Sequence, residues 1–136
     1  MMVDRISSEH RSWNMGRIKG RDTAPELAVR SLLHRLGLRF RLHRRDLPGR
    51  PDIVLPRWKS VVFVHGCFWH RHTGCRFAYM PKSRLDFWTH KFEDTAKRDE
   101  RNQEDLAAAG WRILVVWECE VANRARLSKR LQGLFR

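Results

Sequence analysis

Acidic residues are scarce in this 136-residue chain: 15 Asp or Glu stand against 28 Lys or Arg, a formal net charge of +13. A surplus of that size argues against a cationic partner and favours a polyanion. Long apolar runs are missing as well. No stretch approaches the roughly 20 residues that a bilayer demands, which excludes a membrane-spanning helix. Cysteine is limited to three residues, a number that cannot pair completely and that fits a reducing compartment. The opening segment Met1-Met2-Val3-Asp4-Arg5 has no apolar core of the kind a secretory signal needs, so the expected location is the cytoplasm. There is no internal repeat, low-complexity tract or Ser/Gly-rich linker. The chain is therefore expected to form one domain, burying roughly two thirds of its unfolded surface.

Arginine supplies 22 of the 28 basic residues, and its planar fork suits bidentate contacts to phosphate and to guanine edges. The charge is uneven along the chain. Seven arginines but only one acid, Asp46, lie between Arg30 and Arg50, and the segment from Arg124 onward has five basic residues and no acid. A solvated basic face without a partner would account for this too, but nucleic acid is the favoured reading.

Residues 1–20 are polar, contain Gly16 and Gly20 and show no sustained period; they read as a flexible basic arm before a domain over 21–136. Thr23-Ala24-Pro25-Glu26 has the form of a capping box, and Val29, Leu32, Leu33 and Leu36 continue it as a helix stopped at Gly37. Phe40 and Leu42 alternate with polar residues as a half-exposed strand. Leu47-Pro48-Gly49-Arg50 is a turn, Pro51–Leu55 a second strand and Ser60–His65 a third, nearly all apolar as a covered central strand should be. A loop rich in aromatic residues and histidine runs from Gly66 to about Pro81. Ser83-Arg84-Leu85-Asp86 reads as a second capping box, opening a long polar helix that Gly110 closes. Trp111–Trp117 is a fourth strand, and Val121, Leu127, Leu131 and Leu134 mark a last amphipathic helix. This order implies a mixed sheet packed between helices.

Cys67, His72 and Cys75 fall within nine residues, and Cys119 follows the fourth strand. Three thiolates and an imidazole are a common structural zinc set, and with all four positions taken by protein the ion would have no catalytic vacancy. His70 or His65 could take the imidazole position instead, and three buried free thiols would be the plainer account. Asp52 stands early in the second strand, while His65 ends the third and His70 follows closely. A carboxylate and imidazoles converging on one cleft are what a metal-dependent phosphodiesterase needs: one to hold Mg²⁺, the others to activate water or protonate a leaving oxygen. Asp52 could equally be an ordinary strand-end carboxylate, and capping alone explains Glu26. Phe68, Trp69, Trp88 and Tyr79 could wedge between base steps or pack beneath the loop. Trp58, Trp111 and Trp117 are assigned to packing.

Leu47-Pro48-Gly49-Arg50-Pro51-Asp52, Val62-Phe63-Val64-His65-Gly66-Cys67-Phe68-Trp69-His70 and Gly110-Trp111-Arg112 through Val116-Trp117-Glu118-Cys119 together resemble the very-short-patch-repair (Vsr) mismatch endonuclease family. The likeness runs in order from about Asn14 to Cys119, and the His-Gly-Cys-Phe-Trp-His string is its most specific part. It implies a restriction-endonuclease-like three-layer α/β fold with a zinc-stabilised loop. The implied activity is bacterial: a monomeric enzyme nicking double-stranded DNA 5′ to the thymine of a T:G mismatch left by deamination of 5-methylcytosine. The resemblance places Mg²⁺ on Asp52, the active-site histidines at His65 and His70, and an active-site glutamate at Glu26. It assigns Cys67, His72, Cys75 and Cys119 to structural Zn²⁺, and the intercalating aromatics to Phe68, Trp69 and Trp88, with Arg50 beside them on the DNA. A functional link to a cytosine-5 DNA methyltransferase, cooperation with mismatch-repair proteins and action at the nucleoid are implied too. Val64 stands where some relatives have a hydroxyl residue, and the segment from His70 to Cys75 is one residue longer than in some.

Overall fold

The computed structural model describes residues 22–135; the expected basic arm over 1–20 lies outside them. Helix α1 (Ala24–Arg35) leads into strands β1 (Arg41–Leu42), β2 (Ile53–Leu55) and β3 (Ser60–His65). The long helix α2 (Leu85–Ala108), strand β4 (Arg112–Trp117) and helix α3 (Arg124–Gln132) follow. The strands form one sheet in the order β1-β2-β3-β4. Its first two pairings are antiparallel, whereas β3 and β4 run parallel from Ser60↔Arg112 to His65↔Trp117.

Strand alternation divides the core. Ile53, Leu55, Val62 and Val116 face one way and pack with Val29, Leu32 and Leu33 of α1 and Leu127 and Leu131 of α3. Val54, Val61 and Phe63 face the other way and meet Leu106 of α2 with Trp111, Ile113 and Val115 around them. The result is the expected three-layer arrangement, a mixed sheet between helices. All three residues of β2 are buried, which explains its unbroken apolar run.

Local signals hold at α1 and fail at α2. The Thr23 hydroxyl accepts from the Glu26 amide at 3.4 Å, and Gly37, at φ +80°, turns the chain after the C-cap Leu36. The expected box at Ser83–Asp86 does not form: α2 begins after Arg84, which is left-handed at φ 57° and makes no side-chain cap. Length and Leu106 packing sustain this helix without it. The edge strand pairs only over Arg41–Leu42, and Val121 and Leu134 lie in short 3₁₀ turns flanking α3.

Candidate active site and metal centre

Period-2 alternation places Asp52 on the parity of Val54, and His65 on that of Val61 and Phe63. Both therefore sit on the sheet face covered by α2. The amide of Val64 donates to Asp52 Oδ2 at 2.7 Å, fixing the carboxylate against the next strand. Val64 thus serves this site through its backbone, which any side chain could do. Around the carboxylate opens a cleft of about 770 Å³ whose lining includes Glu26, Arg50, Asp52, His65, His70 and Asp99. At the tight turn before Asp52, Gly49 has φ +75°, and a Cβ there would lie 2.9 Å from Asn102 of α2. Glycine lets that turn press against the helix and close the cleft's wall.

Glu26 is buried, and its Oε2 accepts from the Asp22 amide at 2.9 Å and from Arg30 Nη2 at 3.2 Å. The reciprocal half of the expected capping box is therefore displaced by one residue, onto Asp22. Burial, followed by the charge and hydrogen bond of neighbouring Glu26, raises the Asp52 pKa to about 7, although the Val64 amide works against the rise. Two carboxylates held together at that cost form an all-oxygen donor set, which fits a hard divalent cation.

The two histidines stack, with ring centroids 3.8 Å apart and planes 7° from parallel. They are not equivalent. His65 is 6% exposed, and burial together with the adjacent His70 lowers its pKa to about 4, so it stands as a neutral imidazole. His70 Nδ1 meets Asp99 Oδ2 at 2.5 Å, which leaves Nε2 as the nitrogen available to the cleft. Asp99 escaped the sequence reading because α2 is crowded with acids, and only the helix register singles this one out.

The four expected soft ligands come together: one atom each from Cys67, His72, Cys75 and Cys119 lies within 4.8 Å of the others. His72 Nδ1 is 3.6 Å from Cys67 Sγ and 3.4 Å from Cys119 Sγ. A tetrahedron with zinc's usual bond lengths has N–S edges of about 3.6 Å, so the site fits that ion. It uses His72, and sends His65 and His70 to the cleft. Trp117, which sequence reasoning assigned to packing, stacks on His72 at 4.2 Å and turns its edge to His65 at 5.3 Å, standing between the two centres. Glu118 joins them as well: it lines the cleft while its Oε1 accepts from the Cys67 amide at 2.9 Å.

Phe68 is the hub of the aromatic group, with Trp69, Tyr79, Trp88 and Phe92 rings 5.0–5.4 Å away. Arg71 fastens the loop by donating to the carbonyls of Phe68, Ala78 and Tyr79, and its guanidinium lies 4.0 Å over Phe92. Phe68 and Trp69 still reach the cleft, where Arg50 also stands exposed at its mouth. Packing beneath the loop and lining of the cleft are thus combined in one cluster.

A sequence model described as DNA mismatch endonuclease Vsr matches residues 3–76. The chain is 54% identical over 134 residues to the type II nicking enzyme V.XorIIP of Xanthomonas oryzae pv. oryzae, covering 98% of each. It is 43% identical over 127 residues to the DNA mismatch endonuclease Vsr of Escherichia coli K12, covering 93% of this chain and 81% of that one. Among solved structures, the catalytic domain of the homing endonuclease I-Bth0305I superposes with a TM-score of 0.58 at 17% identity. That superposition covers 84% of this chain and 95% of the other, a likeness of fold.

Proposed function

The chain belongs to the Vsr family of DNA mismatch endonucleases, and from that premise we propose that it is a Mg²⁺-dependent, strand-specific enzyme that nicks 5′ to the thymine of T:G mismatches. The observation that carries this reading is the convergence of Asp52, Glu26, His65 and the His70–Asp99 pair on one cleft beside the half-buried rings of Phe68 and Trp69 and the exposed Arg50. Asp52 and Glu26 would hold the cation, which supplies charge neutralisation at the phosphate and a more acidic water. His70 takes the proton of the attacking water on Nε2, with Asp99 fixing the tautomer and stabilising the imidazolium that forms. His65, neutral and stacked on His70, donates a hydrogen bond to a phosphate oxygen rather than contributing a full charge. Cys67, His72, Cys75 and Cys119 would hold a structural Zn²⁺ and so fix the loop carrying Phe68 and Trp69.

Recognition rests on the cost of opening the helix. A wobble pair is cheaper to unstack than a Watson–Crick pair, and Phe68, Trp69 and Trp88 form the wedge that detects the difference. Arginines beyond Arg30 and up to Arg50 hold the backbone, Arg30 itself being engaged by Asp22 and Glu26. A cytosine-5 DNA methyltransferase would generate the lesion's precursor, mismatch-repair proteins would act on the same DNA, and the enzyme would work as a monomer at the nucleoid of a bacterial cytoplasm.

The test is a nicking assay on duplexes with randomised flanks, each strand labelled in turn, with T:G beside matched T:A. A single nick 5′ to the mismatched thymine, absent in Asp52→Asn, is the expected outcome. Equal cutting of matched DNA would indicate a restriction-like nuclease. Binding without cutting would indicate a zinc-stabilised DNA-binding module.

A further inference from the structure

The far side of Glu26 is occupied by a second set of side chains that the proposed chemistry does not use. Arg30 Nη2 lies 2.7 Å from Asp22 Oδ1, 3.2 Å from Glu26 Oε2 and 3.1 Å from His43 Nε2. Asp22, Glu26 and His43 are grouped closely enough to hold an ion of their own, but the guanidinium already fills the position where it would sit. The three contacts converge on one nitrogen, so the Glu26 carboxylate is pinned through Oε2 and Oε1 is left clear of these partners.

Two features show what it costs to keep this arrangement. Arg30 Nε is buried with no hydrogen-bond partner, an omission that a helix-surface ion pair would not require. His43 adopts φ +48°, a left-handed conformation that only a few per cent of non-glycine residues take. That turn lets the His43 amide donate to the Asp52 carbonyl at 3.3 Å while its ring meets Arg30. One residue thus touches the main chain of Asp52 and, through Arg30, the side chain of Glu26. These two carboxylates come from elements 26 residues apart in sequence, and nothing in β2 itself sets the distance between them.

We infer that Arg30 and His43, braced by Asp22, are positioning residues that fix Glu26 relative to Asp52 and so set the affinity of the cleft for its divalent cation. The inference rests on the reading of Asp52 and Glu26 as cation ligands. Arginine is suited to the task because its charge is permanent and its long, rigid end places Nη2 among all three partners; lysine would keep the charge but carry it on a flexible stem.

The experiment compares wild type, Arg30→Gln, Arg30→Lys and His43→Asn, the last chosen because asparagine tolerates a positive φ. Each is measured for Ca²⁺ binding to the protein–DNA complex by calorimetry, and for kcat, KM for DNA and half-saturating Mg²⁺ on whichever duplex the wild type cuts. Loss of an outer partner of a metal ligand typically costs 10–100-fold in affinity or activity. Arg30→Gln is therefore expected to weaken Ca²⁺ binding and raise half-saturating Mg²⁺ by about 10-fold, with KM for DNA unchanged. Arg30→Lys should recover part of both losses, and His43→Asn should fall between Lys and Gln. A folded Arg30→Gln protein with wild-type Ca²⁺ affinity overturns the inference. So does unfolding of both Arg30→Gln and His43→Asn, which would make the cluster structural. A wild type that binds no divalent cation would instead refute the underlying reading, and that result comes from the wild type alone.

Discussion

His65 and Cys67 stand two residues apart at the end of β3, yet one faces an open cleft and the other a closed set of ligands. His72 Nδ1 lies at tetrahedral edge distances from the Cys67 and Cys119 sulfurs, Cys75 completes the group within 4.8 Å, and Trp117 covers the imidazole. Around Asp52, by contrast, burial and the neighbouring Glu26 carboxylate raise the Asp52 pKa to about 7. The first cluster gains by being complete. The second is strained by burial and like charge, which a bound cation would relieve. On the proposed reading, structural and catalytic centres would be distinguished here by how far the protein satisfies its own polar groups.

The sharpest way to break the comparison is to open the closed side. Cys75→Ser removes one of four ligands, and structural zinc sites contribute folding energy directly. We expect zinc loss and destabilisation of several kcal/mol, read as a zinc content well below one per chain and a lowered Tm. Retention of one zinc per chain would remove Cys75 from the set.

A smaller effect is expected on the open side. Asp99→Asn leaves a hydrogen-bonding group near His70 Nδ1 but no longer fixes its tautomer or balances the imidazolium. The expected loss in kcat is about 10–100-fold with DNA affinity unchanged, measured in single-turnover nicking. An equal loss of DNA binding would make Asp99 a structural residue instead.

The smallest effect concerns pH. Asp52 has a higher pKa folded, about 7, than its ordinary 3.8. The metal-free folded state therefore holds an extra proton between those values, and stability from this group falls as pH rises through that window. His65 runs the other way: lowered to about 4 from 6.5, it contributes stability that is present above 6.5 and lost as pH falls toward 4. Near pH 8 only the Asp52 penalty remains. Asp52→Asn should then raise the metal-free stability by about 1–2 kcal/mol, well under the ~4 kcal/mol that the full shift would give. A Tm at pH 8 equal to or below that of wild type would show that the carboxylate is not strained.

Legibility in the sequence followed how local each determinant was. The strands, the sheet between helices and the candidate grouping of the three cysteines rest on alternation and on residues within one loop plus Cys119, so pattern alone suggested them. His72 could not be separated from His65 and His70 by spacing; the reversal of the loop after Gly66, with the His72 amide donating to the Cys67 carbonyl, decides it. Asp99 and Trp117 were hidden for opposite reasons. Asp99 is one acid among many on a polar helix, and Trp117 is an apolar residue on a strand where packing explains it sufficiently. The Ser83–Asp86 box failed because Arg84 takes a left-handed conformation that removes Ser83 from the capping position. Arg30 and His43 read as members of a basic run, since nothing along the chain shows that they converge on Glu26.

The most direct test of the contrast between the two centres measures both in one sample. After dialysis against EDTA, nicking of a T:G duplex and zinc content are followed while Mg²⁺ is returned. The contrast requires that nicking be lost and then restored by Mg²⁺ alone, with one zinc per chain retained throughout. Activity that follows zinc content and ignores Mg²⁺ would contradict it.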